Sequence, residues 1–497
     1  MTEPCDLPAV TARRLIGARR LAPSELLESC IRRIETVDPA VNAMVARDFE
    51  RAQAAARAAD DAVARGGKLG PLHGLPLGVK DLEDTAGLVT TYGSPIYRDH
   101  VPAADERIVA ALRQAGAIVL GKTNTPEFGA GANTRNAVYG VTANPFDPTK
   151  SAAGSSGGSA VALACGMVPI ATGSDTGGSL RNPAAFCGIV GFRPTPGLVP
   201  SEKRGLGWSN LPVLGPMARS VPDLALLLSA MVSDDASDPL ATTVHGARVR
   251  RAEDFAAPAE CDLAGLRVAL TADFGFAPTE RHIREVFAAA TAPLCPLFAH
   301  AEEATPDCRD ADEAFEVLRA LTFLSAHLDK VRNRPADVGP NVRANVEEGL
   351  RYSAADVARA MGAQTAYYRR WQSFFKRYDL ILTPSITISP RPWRELYPAE
   401  IDGVATRTYF HWLALAYAVT LAGHPAISLP MGTDRHGMPF GLQIVGPRGG
   451  DALVLAAAAA IERTLAGDPA TARPVPDLAR LAAAPPIARA EGFLGFD

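Results

Sequence analysis

Lysine is scarce in this chain. Only seven of its 50 basic residues are Lys, at positions 68, 80, 122, 150, 203, 330 and 376. Any lysine kept where arginine is the habit needs a reason, and the two cations differ chemically: arginine stays protonated in proteins, whereas a buried lysine can lose its proton. There is no bulk positive field either. Net charge is −4, which excludes nucleic acid and anionic membrane as default partners. Cysteines at 5, 30, 165, 187, 261, 295 and 308 are odd in number and scattered, with no C-x-x-C pair. That excludes a disulfide framework and a thiolate zinc site, and suits reduced thiols in a cytoplasmic setting. The nine His form no H-E-x-x-H pattern, so no metal is implied. No apolar run approaches the ~18 residues of a membrane span; LVLAAAAAI at 453–461 is among the longest. The start, MTEPCDLPAVTARR, lacks the charged-then-apolar pattern of a secretory signal.

What is present is a globular balance, with 47% hydrophobic and 21% charged residues over 497 positions. That length alone would suggest two or three domains at ~150 residues each. Residues 1–65 read as helical, with PSELLESCIRRIETVD (23–38) apolar at helical spacing and an Ala/Arg-rich helix over 50–64. GLPLGVKDLEDTAG (74–87) reads as strand and turn, and DERIVAALRQAG (105–116) as an amphipathic helix. AIVLGK (117–122), VPIATG (168–173), LRVALT (266–271), DLILTP (379–384), AISLP (426–430) and FGLQIVG (440–446) read as strands. Helices interleaved with strands predict an α/β layer fold. Segments 233–262 and 385–410 carry neither period and read as loops or surface insertions, where specificity often resides.

The most unusual composition lies in 151–191. Two Gly/Ser clusters, G-S-S-G-G-S (154–159) and G-S-D-T-G-G-S (173–179), bracket one helix–strand unit. A flexible linker would not be flanked by apolar core on both sides. Paired glycines before a serine suit a tight turn that aims amides into a site. Three generic motifs also match. Residues 116–123 fit the phosphate-loop pattern, but their variable positions are apolar and strand-forming, where a true loop would turn. Residues 154–158 fit G-x-S-x-G, yet no strand precedes them to form a nucleophile elbow. Ser373 and Lys376 fit S-x-x-K inside an aromatic helical stretch without the downstream motifs that go with it.

A serine needs a base to become a nucleophile, and no His lies near either cluster. A lysine serves if burial keeps it neutral. Lys80, after the apolar run GLPLGV, is the leading candidate.

These residues resemble the amidase signature family of Ser-Ser-Lys hydrolases. The family pattern appears at 154–159 and 173–195. G-V-K-D (78–81) is similar to its lysine motif, and GAIVLGKTNTPEF (116–128), LGPMARSVPDLALLL (214–228), YDLILTP (378–384) and 422–447 are also similar. The resemblance runs from about residue 20 to about 465 and implies a large twisted mixed β-sheet with α-helices on both sides. It replaces the length-based count with a single compact domain, 66–497, behind the helical segment 1–65. It implies Ser179 as nucleophile, Ser155 as the bridging serine beside a non-proline cis peptide, and Lys80 as neutral base. The amides of Thr176, Gly177, Gly178 and Ser179 correspond to an oxyanion hole, supported by Gly154 and Ser156. Asp175 and Arg181 flank the turn, and an ion pair that braces it is expected. Many members have Gly-Gly before the Ser-Ser pair, where this chain has Ala153-Gly154.

The expected activity is hydrolysis of small-molecule amides through an acyl-enzyme, without cofactor or metal, by a monomer or homodimer. Carbamates, aryl amides and esters remain open as substrates, and loops near Trp208 and Trp393 are candidates for the pocket wall. The alternative is the A-type subunit of a tRNA-dependent amidotransferase. GLVPSEKRGLGWSNLPVLGP, after the nucleophile, is unlike that subgroup's usual run.

Overall fold

Short apolar runs become central strands where both faces of a sheet are covered, because successive side chains point to opposite sides. Pro76–Lys80, Ile118–Thr123 and Leu380–Pro384 meet that condition, since every residue in them is buried. They belong to one mixed sheet of eleven strands. In chain order these are β1 (Met44–Arg47), β2 (Pro76–Lys80), β3 (Ile118–Thr123), β4 (Ile170–Asp175), β5 (Val190–Arg193), β6 (Val213–Ala218), β7 (Arg267–Leu270), β8 (His300–Glu303), β9 (Leu380–Pro384), β10 (Ala426–Thr433) and β11 (Pro439–Val445). Across the sheet they run β1-β3-β2-β4-β6-β5-β10-β11-β9-β7-β8. The pairs β3–β2, β2–β4, β9–β7 and β7–β8 are parallel. The remaining neighbours are antiparallel. The computed structural model describes residues 3–487 apart from 234, 242, 245, 246 and 249. The outer ends of segments 1–65 and 66–497, and parts of 233–262, therefore lie outside the described residues.

The six strands expected from apolar runs all form. β5, β6 and β8 were not among the expected strands, and β1 lies within the stretch read as helical and pairs antiparallel with β3 at the sheet's edge. Helices Gly157–Ala164, Val221–Met231 and Asp451–Leu465 pack on the sheet. No described helix is long and apolar enough to cross a membrane.

Topology positions the site. β2 and β4 are parallel neighbours, with Leu77 opposite Ile170 and Gly78 opposite Ala171. Their C-terminal ends therefore emerge on the same edge. Lys80 is the last residue of β2 and Asp175 the last of β4. Helix Gly157–Ala164 runs into the sheet from Ser156, so its N-terminus opens at that edge too.

Candidate active site

The side chain of Lys80 is fully buried. Its Nζ lies 2.7 Å from Ser155 Oγ, 2.9 Å from Ser156 Oγ and 2.9 Å from Ser174 Oγ. Three hydroxyls and no carboxylate surround it. A neutral amine has two N–H bonds and one lone pair. Three hydroxyl neighbours use all three sites if one of them donates its proton to the nitrogen. Burial pushes the Lys80 ammonium down to about 7, while Glu83 and Asp175 pull it back up. Behind the lysine, the Thr172 hydroxyl accepts the Lys80 backbone N–H at 2.9 Å and donates to Glu83. Burial raises the Glu83 carboxyl above its ordinary value, against Thr172, Lys122 and Lys80.

The Gly154–Ser155 peptide is cis, as the resemblance implied. Ala153 has φ 57°, a left-handed conformation that costs a non-glycine residue ~1–2 kcal/mol. Ser155 and Ser179 line one cavity of about 140 Å³, together with Ser174, Thr176 and Gly177. Lys80 stands behind its wall and meets it through Ser155.

The turn after β4 departs from expectation at one position. The Gly178 amide donates to Asp175 Oδ1 at 2.9 Å, so it does not belong with the free donors expected of an oxyanion hole. The amides of Thr176, Gly177 and Ser179 make no hydrogen bond among the described residues. Gly178 is needed for its shape. It has φ 109°, and a Cβ there would stand 2.4 Å from the Asn182 side chain and 2.5 Å from Ala416 Cβ.

Asp175 and Arg181 pair as expected, with Nε to Oδ2 and Nη2 to Oδ1 both at 3.0 Å. Arg193 adds a contact at 3.3 Å to Oδ1 and donates to the Asp175 carbonyl at 2.8 Å. All three side chains are fully buried. Burial alone would raise the Asp175 carboxyl; Arg181, Arg193 and the Gly178 amide outweigh it and hold the group well below the usual carboxylate range. Asp175→Ala would leave two buried guanidiniums without their anion, a loss expected to destabilise by ~3–5 kcal/mol. Urea unfolding of the variant beside the parent measures it.

Ser174 and Arg193 were not singled out from the sequence. Both lie inside the motif, Ser174 next to the turn and Arg193 before P-T, so their signal was present. The tryptophans mislead. Trp208 is 82% exposed, and Trp393 is buried with its indole N–H on the Pro148 carbonyl at 3.1 Å. Neither lines the cavity, whose rings are Phe128, Phe315, Phe323, Tyr409 and Phe410. The decoys also resolve. Lys122 of the phosphate-loop match is a buried strand residue, bonded to the Glu83 carbonyl and to Thr85 Oγ1, and cannot reach a phosphate. Ser373 and Lys376 are exposed.

This fold and this constellation define a hydrolase of one family. Residues 25–455 match the Amidase family, and the chain belongs to it. It is 34% identical over 460 residues to an acylamidase of Rhodococcus erythropolis, covering 92% of this chain and 95% of that protein. It is also 34% identical over 474 residues to the A-type subunit of the glutamyl-tRNA(Gln) amidotransferase of Moorella thermoacetica, covering 90% and 95%. Its structure matches that of a bacterial aryl acylamidase with a TM-score of 0.86 at 27% identity, covering 97% and 99% of the two chains. A 6-aminohexanoate cyclic dimer hydrolase with substrate bound matches with a TM-score of 0.81 at 26% identity, covering 96% and 100%. The enzyme class read from the motifs, an amidase acting on carbon–nitrogen bonds other than peptide bonds, stands with these relatives.

Proposed function

We propose that this chain hydrolyses small-molecule amides with Ser179 as nucleophile, Ser155 as proton bridge and Lys80 as base. The observation that carries this reading is the buried Lys80 amine, 2.7 Å from Ser155 Oγ, behind the cavity that Ser155 shares with Ser179. Ser179 Oγ attacks the carbonyl carbon. Its proton passes to Ser155 as Ser155 gives its own to Lys80. The amides of Thr176, Gly177 and Ser179 hold the negative oxygen; one such donor is worth ~10²–10³ in rate. The carbon–nitrogen bond then breaks, and Lys80 returns the proton through Ser155 to the departing amine. Water enters and loses a proton along the same route to Lys80; the bond to Ser179 breaks, the acid departs, and Lys80 returns the proton through Ser155 to the Ser179 oxygen.

The walls favour an apolar or aryl portion of the substrate. Phe128, Phe315, Phe323, Phe410 and Leu413 supply most of them. The aryl acylamidase among the structural relatives supports the same class. A fluorophosphonate probe is expected to add one phosphonyl group to Ser179, located by mass spectrometry of the digested protein. Label on another serine, or none, removes the assignment.

The identity to the amidotransferase chain of M. thermoacetica favours a second reading, a chain that works within a complex. Purification of a single species that turns over amides without partner chains decides for the first.

A further inference from the structure

One cation that lines the cavity has no carboxylate partner among the described residues. Four arginines are buried among the described residues: Arg181, Arg193, Arg219 and Arg319. The first two share Asp175. Arg219 donates to the carbonyls of Val168, Cys5 and Leu7. Arg319, on helix Ala311–Asn333, is 7% exposed and lines the cavity with both serines. Among the described residues its one hydrogen bond goes to the Tyr409 hydroxyl, its Nε has no partner, and no carboxylate pairs with it.

Aromatic rings partly compensate. The guanidinium carbon lies 4.5 Å from the Phe323 centroid, 5.0 Å from Phe410 and 5.2 Å from Tyr409. Such contacts offset only part of what it costs to bury an ion. Arginine cannot lower that cost by releasing its proton. Tyr409 holds it in place, because the same hydroxyl accepts Asn345 Nδ2 at 2.6 Å. Beside it, His327 lines the cavity against Phe128, with ring centroids 4.4 Å apart, and its Nδ1 also lacks a partner. A fixed cation with rings on its faces and an open cavity beside it is a receptor for a planar anion next to an apolar group.

We propose that Arg319 determines specificity, and that the amides this enzyme prefers carry a carboxylate beside an apolar or aryl part. The inference rests on the amidase reading of the same cavity. Two substrate pairs test it and locate the carboxylate. On the acyl side, N-succinyl-4-nitroanilide is compared with N-butyryl-4-nitroanilide. On the amine side, the acetamide of 3-aminobenzoate is compared with acetanilide. In one pair the carboxylate member is expected to have a kcat/KM about 30- to 100-fold higher, the scale of a hydrogen bond to a charged group. Arg319→Met keeps the length and the ring contacts, and is expected to collapse that ratio towards 1 through KM. Benzoate is expected to inhibit the parent competitively at lower concentration than benzamide, a measurement that needs no variant.

Parent ratios near 1 in both pairs, with benzoate no better than benzamide, overturn the proposal. So does a ratio that Arg319→Met leaves intact. If the neutral amides turn over in a Ser179-dependent way without any carboxylate preference, only this inference falls. If no amide in either pair turns over faster with the parent than with Ser179→Ala, the amidase reading falls with it.

Discussion

Ser179→Ala is expected to lower kcat by ~10⁴-fold or more on any amide that the parent cleaves, with KM little changed. The loss follows from how the site divides its work. Ser179 and three amides without a partner among the described residues share one turn after β4, whereas Ser155 lies on a separate segment with its hydroxyl bonded to Lys80. Ser155 cannot substitute, because a serine serving as the proton bridge has no second bridge behind it. The variant is also clean. The Ser179 hydroxyl makes no hydrogen bond among the described residues, so its removal breaks none and should change stability by no more than about 0.5 kcal/mol. A variant that unfolds at the parent's denaturant midpoint and turns over nothing separates chemistry from folding. Residues that act as one unit are not additive. Adding Lys80→Met to Ser179→Ala should therefore cost almost nothing further. Residual turnover above about a tenth of the parent's, or a second large drop in the double variant, contradicts the assignment of roles.

The site was legible in the sequence where chemistry and turn geometry coincide in one stretch. Lys80 ends an apolar run in a chain that otherwise prefers arginine. Ser155 and Ser179 sit in glycine-rich turns that a linker would not explain. Asp175 and Arg181 are close enough in sequence to read as a pair. Gly178 was legible as necessary but not for its true reason. Its amide points back to Asp175, and its missing Cβ makes room for Asn182 and Ala416. The substrate cavity was not legible. Its rings come from Phe128, from one face of helix Ala311–Asn333, and from Tyr409 and Phe410. No local pattern links these three stretches, because only the folded chain brings them to one cavity. LRALTFL reads as an amphipathic helix whichever way its arginine points. The loop tryptophans drew attention instead, one of them solvent-exposed and the other packed on a distant loop.

The sheet shows the same division. β9, β10 and β11 announce themselves as largely apolar runs. β6 does not, because Gly215 and Pro216 read as turn signals inside it. The structure gives the glycine a packing reason. A Cβ on Gly215 would meet the Phe192 carbonyl oxygen at 2.5 Å, so the strand can lie against β5 only without a side chain there. β1 escaped because four residues of mixed polarity after a long helix carry no period of their own. Its place depends on β3, almost 80 positions later.

Lys80 carries the second large effect. Lys80→Arg keeps a cation in the same pocket and is expected to lower kcat/KM by at least ~10³-fold at every pH up to 10, since a guanidinium does not act as a base there. Lys80→Met is expected to do the same. The parent's pH profile should show why. The base must be neutral to accept a proton, so kcat/KM falls tenfold per pH unit below the lysine's folded value of about 7 and levels off above it. Burial sets that value low, and the charge on Glu83 works against burial by favouring the ammonium. Removing that charge with Glu83→Gln therefore moves the midpoint of the acid limb to lower pH, while the amide still accepts from Thr172. The direction is the decisive readout. Loss of packing would scale the whole profile down without moving it. A midpoint that rises in Glu83→Gln sinks the role given to Lys80, as does an arginine variant that keeps its rate. If the midpoint falls as expected, this chain's sparing use of lysine has its explanation at this position. The chemistry here requires a cation that can give up its proton, and the burial of Nζ makes that loss possible near neutral pH.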